Sequence, residues 1–205
     1  MTSNLIGSLE LCQRLNKTLL LSSWQLGWNG ILVERCQSPF SSFEIEMELP
    51  AISDHWLNLH LGHPAPLIQK RDGRLHRSIV HRGDTLFVPA GQPTYWRRPK
   101  GVICSPLQIC LKPELIEQVA EASEIDTKRI DLVRCFGQQD LQLHQFAMLL
   151  LAELQSGGIM GRLYVESLTQ VLVIHLLRHY SILTRTITSQ NRTLTRVQLQ
   201  EAIEL

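Results

Sequence analysis

Three histidines in one short segment are the first residues to consider for metal chemistry. His55, His60 and His63 fall within DHWLNLHLGHP, and imidazole nitrogen is a common ligand of zinc and iron. On a β-strand neighbouring side chains point to opposite faces, so His55 and His60, five positions apart, do not converge on one ion. No H-x-H pair followed by a glutamate, a ligand pattern of metal-binding β barrels, accompanies them. The spacing therefore predicts no metal site.

Residue patterns for covalent or acid–base catalysis are also missing from the sequence. It has no G-x-S-x-G motif, and none of its five cysteines forms a C-x-x-C pair or sits in the sequence context of a cysteine hydrolase. The cysteines are Cys12, Cys36, Cys104, Cys110 and Cys135. An odd number without paired spacing indicates buried, reduced thiols. Glu44, Glu46 and Glu48 alternate along one strand and suit its solvated face. We predict no catalytic residue, no cofactor and no enzymatic activity.

Aromatic side chains in the same region suit ligand binding instead. Trp56, Phe87, Tyr95 and Trp96 lie on or beside predicted strands, where a β barrel or sandwich can enclose a small apolar ligand. The alternative is that these rings simply form the core. Such pockets combine rings with a few polar anchors, and His60 offers one. We predict that a small, largely apolar or aromatic effector binds among Trp56, His60, Phe87 and Trp96.

A basic stretch overlaps this region. Eight of the twenty lysines and arginines lie between positions 70 and 100, against two acidic residues, Asp72 and Asp84. The eight are Lys70, Arg71, Arg74, Arg77, Arg82, Arg97, Arg98 and Lys100. Such a cluster can bind an anionic effector, but charged residues also keep exposed β edges soluble. We expect exposed hairpin ends, with an anion site as the alternative.

The elements that must position these residues change type near Lys112. Before it, short runs rich in β-branched and aromatic residues alternate with turn residues, as in GILVERC, HWLNLHL and DTLFVPA. This spacing predicts an antiparallel β barrel or sandwich. Asp72 and Gly73 provide the positive φ that a tight hairpin requires.

After Lys112 the apolar spacing becomes helical. Pro113 can occupy the first turn of a short helix, and an i, i+3, i+4, i+7 series predicts a second helix over Leu141–Gln155. A third is predicted from about Gly161 to Tyr180. Because a short Gly-rich link joins the two longer helices, they should form an antiparallel hairpin. The fold class is therefore α+β, a β barrel or sandwich followed by a helical hairpin.

Both long helices are apolar on more than one face. A helix of this kind must be buried on more than one side, and a second copy of the chain is the simplest cover. We therefore predict a homodimer formed through the helical hairpin. Its interface is predicted to include Leu149, Leu168, Leu172 and Leu176.

Composition excludes several other classes of protein. The 205 residues carry a formal net charge of +1, far from the basic character of an independent nucleic-acid binder. The most apolar stretch, Val171 to Leu177, is much shorter than the roughly 20 residues that span a bilayer. The N-terminus has no signal-peptide pattern. We expect a cytoplasmic protein with no membrane partner.

The sequence resembles the N-terminal part of an AraC-type transcription regulator with a cupin-like sensing domain. The resemblance covers nearly the whole chain. It rests on the segments GWNGILVE, SDHWLNLHLGHP, KRDGRLH, RGDTLFVPAGQPTYWR, LKPELIEQVA and LLAELQSGGIMGRLYVESLTQVLVIHLLRHYS. The closing LTRVQLQEAIEL resembles the helix that opens the family's DNA-binding domain.

This resemblance implies a division of labour. Residues 1–111 would form a cupin-like effector-binding domain, residues 112–181 a dimerisation region, and residues 182–205 a linker and the start of a truncated DNA-binding domain. DNA would be contacted only through two helix-turn-helix units that these 205 residues lack, so we expect no specific DNA binding by this chain alone. The alternatives are a metal-independent cupin-like enzyme and a pure protein-interaction module.

Overall fold

The computed structural model describes residues 5–182, apart from residues 16, 39, 72, 128 and 129. The helices are α1 (Ser8–Arg14), α2 (Pro113–Ala122), α3 (Leu141–Gln155) and α4 (Arg162–His179). The strands are β1 (Thr18–Ser22), β2 (Ile31–Gln37), β3 (Ile45–Leu49), β4 (His55–His60), β5 (Ala65–Arg71), β6 (Arg74–Val80), β7 (Asp84–Val88), β8 (Thr94–Arg98), β9 (Pro106–Leu111) and β10 (Cys135–Gln139).

The strands form two sheets in which each pair of neighbouring strands is antiparallel. The larger sheet has the order β1-β2-β9-β4-β7-β10, and the smaller has the order β3-β8-β5-β6. Apolar side chains of both sheets share one buried cluster, in which the rings of Trp56 and Trp96 lie 5.2 Å apart. The two sheets therefore pack face to face as a sandwich.

The other face of the larger sheet is covered by α2, α3 and α4. Leu57, Leu59 and Phe87 of this sheet belong to the same buried cluster as Leu150 of α3 and Leu176 of α4. Because both of its faces are covered, β7 and β9 are buried along their whole length. The result is three layers: small sheet, large sheet, helices.

This architecture confirms the predicted fold class of an antiparallel β sandwich followed by a helical hairpin. Gly73 has a φ of 76° in the tight hairpin between β5 and β6, and Pro113 is the first residue of α2. The predicted helix over Leu141–Gln155 is observed with those bounds. The closing segment 194–205, which resembles the helix that opens the family's DNA-binding domain, and most of the linker before it lie outside the described residues.

One strand was not predicted from the sequence. β10 lies in the stretch that was expected to be helical, yet it pairs with β7 and forms an edge of the larger sheet. Its register shifts between Cys135 and Gln138, and Gly137 has a φ of 57°. A short, polar and irregular edge strand carries little alternation for sequence reading to detect.

The helix positions correct half of the predicted dimer interface. Leu172 and Leu176 are fully buried inside this chain, because the α4 stripe that they occupy packs against α2 and α3 in the buried cluster shared with the large sheet. They are core residues and cannot meet a second copy. Leu168 is partly buried, and Leu149 is exposed.

Among the described residues no helix is long and apolar enough to cross a membrane.

Candidate functional site

A row of buried polar side chains crosses the centre of the large sheet. Glu34 on β2 lies opposite Gln108 on β9, and Gln108 lies opposite Asn58 on β4. These residues are only 2%, 1% and 6% exposed. Strand alternation places all three on the face that meets the small sheet, because Leu57 and Leu59, the neighbours of Asn58, face the helices. The interior of the sandwich is therefore polar at its middle.

Hydrogen bonds satisfy part of this row. Ser22 Oγ donates to Glu34 Oε1 at 3.0 Å, and Cys36 Sγ donates to Gln108 Oε1 at 3.3 Å. A buried polar group without such a bond is strongly disfavoured. The large sheet therefore keeps polar side chains at a buried position that apolar side chains could occupy without needing hydrogen-bond partners.

The small sheet faces this row with alternate residues of β8. Trp96 points inward and its Nε1 donates to Thr94 Oγ1 at 2.7 Å. Tyr95 and Arg97 lie on the outer face, where each contacts an acidic residue of β3 or the loop before it: Tyr95 OH donates to Glu46, and Arg97 Nε lies 3.4 Å from a Glu44 oxygen. The same alternation brings Arg98 inward.

Between the sheets lies a cavity of about 70 Å³. Its lining is Lys17, Met47, Asn58, His60, Ala65, Pro66, Leu67, Val80, Leu86, Trp96, Arg98, Cys104 and Pro106. Two of these side chains, Lys17 and Arg98, are cationic and none is a carboxylate. The space suffices for a few waters or one small molecule.

Arg98 is the most unusual residue of this lining. It is only 8% exposed, and its Nε has no hydrogen-bond partner among the described residues. Arg98 was expected to be one of the exposed charges of a hairpin end, and its burial corrects that expectation. The alternation that brings Trp96 inward brings Arg98 with it, whereas Arg97 stays outside.

The structure brings three of the four predicted ligand-binding residues together. His60 and Trp96 line the cavity, and Trp56 packs against Trp96 beside it. His60 Nε2 lies 2.7 Å from the carbonyl oxygen of His63, which fixes the ring. Their role in ligand binding remains a prediction.

Phe87, the fourth predicted ligand-binding residue, does not lie beside the cavity. Leu86 and Val88 face the small sheet, so Phe87 between them faces the helices, where its ring contacts those of His55 and Tyr180 at 6.1 Å each. Phe87 therefore cannot line the cavity. Asn58 and Lys17 also line the cavity and were not predicted. Asn58 could have been found, because its two-residue spacing from Trp56 and His60 places all three on one face of β4.

The histidines lie as the alternation predicted. His55 is on the helix side of the large sheet, where its Nδ1 accepts a hydrogen bond from the Ala90 amide at 3.1 Å. Burial lowers the pKa of His55 to about 4, which keeps the ring neutral as this acceptor role requires. In the described part of the chain no group of three or more His, Cys, Asp or Glu side chains is arranged to hold a metal ion.

The thiol of Cys110 is not an activated nucleophile. Cys36, Cys104, Cys110 and Cys135 form no disulfide among the described residues. Burial raises the pKa of the Cys110 thiol to about 12. A thiol of this kind is inert at neutral pH.

A second buried polar cluster connects α3 to the end of α4. Asp140 caps α3 by accepting the Leu143 amide at 2.9 Å, and its other oxygen accepts from Tyr180 OH at 2.9 Å. His175 Nε2 lies 2.7 Å from that second oxygen. Burial alone would raise the pKa of Asp140, but the hydrogen bonds from His175, Leu143 and Tyr180 outweigh it and the pKa is lowered.

Comparisons with known proteins support the fold. No family model matches the sequence, and no curated protein matches it. Among solved structures, the chain is similar to the AraC-like transcriptional activator CuxR, with 13% identity and a TM-score of 0.52 over 77% of this chain and 55% of CuxR. The aligned region thus spans about half of CuxR. At this identity the likeness shows a shared fold.

Two further neighbours are more distant. A cupin domain from Bordetella pertussis Tohama I aligns with 16% identity over 47% of this chain and 91% of its own, with a TM-score of 0.35. An oxalate decarboxylase from Bacillus subtilis aligns with 12% identity over 51% of this chain and 31% of its own, with a TM-score of 0.33. Neither similarity is high enough to bear on function.

Proposed function

We propose that this chain is the ligand-sensing and dimerisation region of a cytoplasmic AraC-type transcription regulator. The observation that carries the proposal is the cavity between the two sheets, whose lining combines aliphatic and aromatic walls with buried Arg98 and Asn58. Pockets that bind small molecules have this composition, with few polar groups at defined positions. The shared fold with an AraC-like activator is consistent with this role.

The lining favours binding over catalysis. It contains no carboxylate to act as a general base, and the Nε2 of its histidine, His60, is already engaged by the His63 carbonyl. We therefore propose a sensor that acts without catalysis and without a metal.

A cavity-filling variant tests the ligand site. Ala65 is buried in the lining, so Ala65→Leu fills much of the cavity with three added carbon atoms. The matched control is Ala152→Leu on the exposed side of α3. In a screen of small metabolites by tryptophan fluorescence and thermal shift, a true ligand binds the wild type and the control and is lost in Ala65→Leu. A ligand that binds all three proteins equally contradicts the site.

Strand β7 offers a route from the cavity to the end of α4. Leu86 lines the cavity, and the next residue, Phe87, contacts the ring of Tyr180 on the opposite side of the sheet. Tyr180 follows α4 directly, and its carbonyl accepts the Val133 amide at 2.7 Å. A ligand that displaces Leu86 would therefore move the point where the chain leaves the helical layer.

Hydrogen exchange tests this route. We expect ligand binding to change the exchange rate of the Tyr180 amide, which donates to the Leu176 carbonyl. Phe87→Leu should retain ligand binding and reduce that change. An unaltered Tyr180 amide at saturating ligand would show that the route is not used.

Dimerisation is supported by exposed apolar residues on the two long helices. Leu163 and Val171, eight positions apart on α4, are 77% and 44% exposed, and Leu141 and Leu149 have the same spacing on α3. Residues eight apart share a helix face, so each helix presents an apolar stripe to solvent. Stripes of this kind usually mark an interaction site, and we propose a second copy of this chain as the partner.

Sedimentation velocity tests the dimer. The wild type should sediment as a dimer at high micromolar concentration, and the double variant Leu163→Glu with Val171→Glu as a folded monomer. Leu75→Glu, the same change at an exposed leucine of β6 in the small sheet, should remain dimeric. A monomeric wild type would rule out this interface.

DNA contact belongs to the C-terminal domain of the family, and specific retardation of a duplex by residues 1–205 alone would contradict the proposed role of the β domain.

A further inference from the structure

The guanidinium of Arg98 determines what the cavity can bind. An arginine keeps its charge at every physiological pH and carries five N–H donors. Buried charges in proteins are paired, because removal from water is otherwise strongly unfavourable. Arg98 is more than nine-tenths buried, and its Nε has no hydrogen-bond partner among the described residues. A negatively charged ligand that reaches the cavity would supply this partner.

Two other buried donors lie beside the same wall. Trp56 Nε1 and Gln69 Nε2 have no hydrogen-bond partner among the described residues. Trp56 packs against Trp96, and Gln69 lies opposite Trp96 in the register of β5 and β8. This side of the sandwich interior thus has an excess of donors. Neither side chain lines the cavity, so they add to the donor character of this side without contacting a ligand directly.

The volume of the cavity and its other lining residues further limit the class of ligand. The cavity of about 70 Å³ admits only a small molecule, and Leu67, Val80 and Leu86 give it an aliphatic side. Lys17, the other cation of the lining, has its Nζ 5.8 Å from the centre of the Trp56 ring, so the Arg98 guanidinium alone is matched to one negative charge. The flat fork of arginine also pairs with a carboxylate through two parallel hydrogen bonds.

We propose that the ligand of this cavity is a small aliphatic monocarboxylate. Its carboxylate accepts hydrogen bonds from Arg98, and its short alkyl part contacts Leu67, Val80 and Leu86. This inference rests on the proposed sensing function and adds the chemical class of the effector. It also replaces the expectation, based on the sequence, of a largely apolar or aromatic molecule, because the residues predicted to bind that molecule did not include Arg98.

The test is a titration of the full chain with acetate, propionate and butyrate at constant ionic strength. Acetamide, propionamide and inorganic phosphate serve as comparison probes, and tryptophan fluorescence gives the signal. Because each carboxylate has only about five non-hydrogen atoms, we expect dissociation constants in the millimolar range. We expect at least one carboxylate to bind about tenfold more tightly than its neutral amide and than phosphate.

Two variants of neighbouring arginines provide the matched comparison. Arg98→Met removes the inward guanidinium and should weaken carboxylate binding about tenfold or more. Arg97→Met removes the outward one, which contacts Glu44, and should leave binding unchanged within about twofold. Arg98→Met should also unfold at a higher temperature than the wild type without ligand, because a buried unpaired charge is replaced by an apolar chain. That readout confirms that the variant is folded.

The outcomes separate this inference from the function on which it rests. Amides or phosphate that bind as tightly as carboxylates, and are lost in Ala65→Leu, overturn the monocarboxylate class and retain the cavity as a ligand site. Carboxylate binding that persists in Arg98→Met also overturns the inference. Absence of binding by every probe, together with failure of the metabolite screen to find any ligand lost in Ala65→Leu, overturns both.

Discussion

Asp140 is expected to be the most important polar side chain for the stability of the helical layer. One of its oxygens caps α3 through the Leu143 amide, and the other accepts from Tyr180 OH and lies 2.7 Å from His175 Nε2. Asp140→Ala removes all three contacts and leaves the Tyr180 hydroxyl without its acceptor. Asp140→Asn keeps the cap, because asparagine is an equally good N-cap residue, but it removes the charge and replaces the second acceptor oxygen by an NH₂ group, which donates.

The magnitude follows from these contacts. Loss of an N-cap costs about 1 kcal/mol, and loss of a hydrogen bond to a charged group costs about 1.5–3 kcal/mol. These effects are not additive within one cluster, so we expect Asp140→Ala to lower the free energy of unfolding by about 3 kcal/mol. For a chain of this size that is a fall in Tm of about 6–12 °C. Asp140→Asn should lose about 1–2 kcal/mol.

Thermal unfolding followed by circular dichroism at one fixed protein concentration provides the assay. Glu121→Ala, an exposed change on α2, is the control and should alter the free energy of unfolding by less than about 0.5 kcal/mol. Because the pKa of Asp140 is lowered in the folded state, its contribution is complete above its ordinary value of 3.8 and is lost as pH falls below that value. The wild type and Asp140→Asn should therefore converge in acid. A Tm of Asp140→Ala within about 1 °C of the wild type would refute this account of the cluster.

Three further predictions concern the core, pH and metal content. Leu172→Ala should lower the free energy of unfolding by about 2–5 kcal/mol in urea denaturation, whereas Leu163→Ala should change it by less than about 0.5 kcal/mol, because only Leu172 is buried. Since the pKa of His55 falls from 6.5 to about 4 on folding, stability should decrease by up to about 3 kcal/mol as pH drops across that interval, and His55→Asn should flatten this slope. Elemental analysis of the purified chain should find no stoichiometric metal, and one tightly held ion per chain would contradict this.

Strand alternation and helical spacing predicted most of the architecture, because each element buries one face that its own residues specify. The α3 stripe of Leu143, Leu150 and Leu154 is buried as its spacing indicated. The choice among several apolar faces was not predictable. Leu172 and Leu176 belong to one stripe of α4, but only packing against the large sheet decides that this stripe faces inward.

The candidate site was only partly predictable for a related reason. Phe87 and Leu86 are both buried, since the large sheet is covered on both faces, so apolarity alone does not tell which one meets the cavity. Arg98 looked like one charge among eight in a basic stretch. Its burial follows from Trp96 being inward, which is a property of the sandwich and not of β8 by itself.

The most direct test of the central claim is a crystal structure of the chain grown in sodium propionate, compared with one grown in sodium chloride at equal ionic strength. The account predicts a propionate between the two sheets, with a carboxylate oxygen at hydrogen-bond distance, about 2.7–3.2 Å, from Arg98 Nε and its methyl end toward Val80. Arg98 solvated by waters alone in both crystals, with no propionate between the sheets, would contradict it.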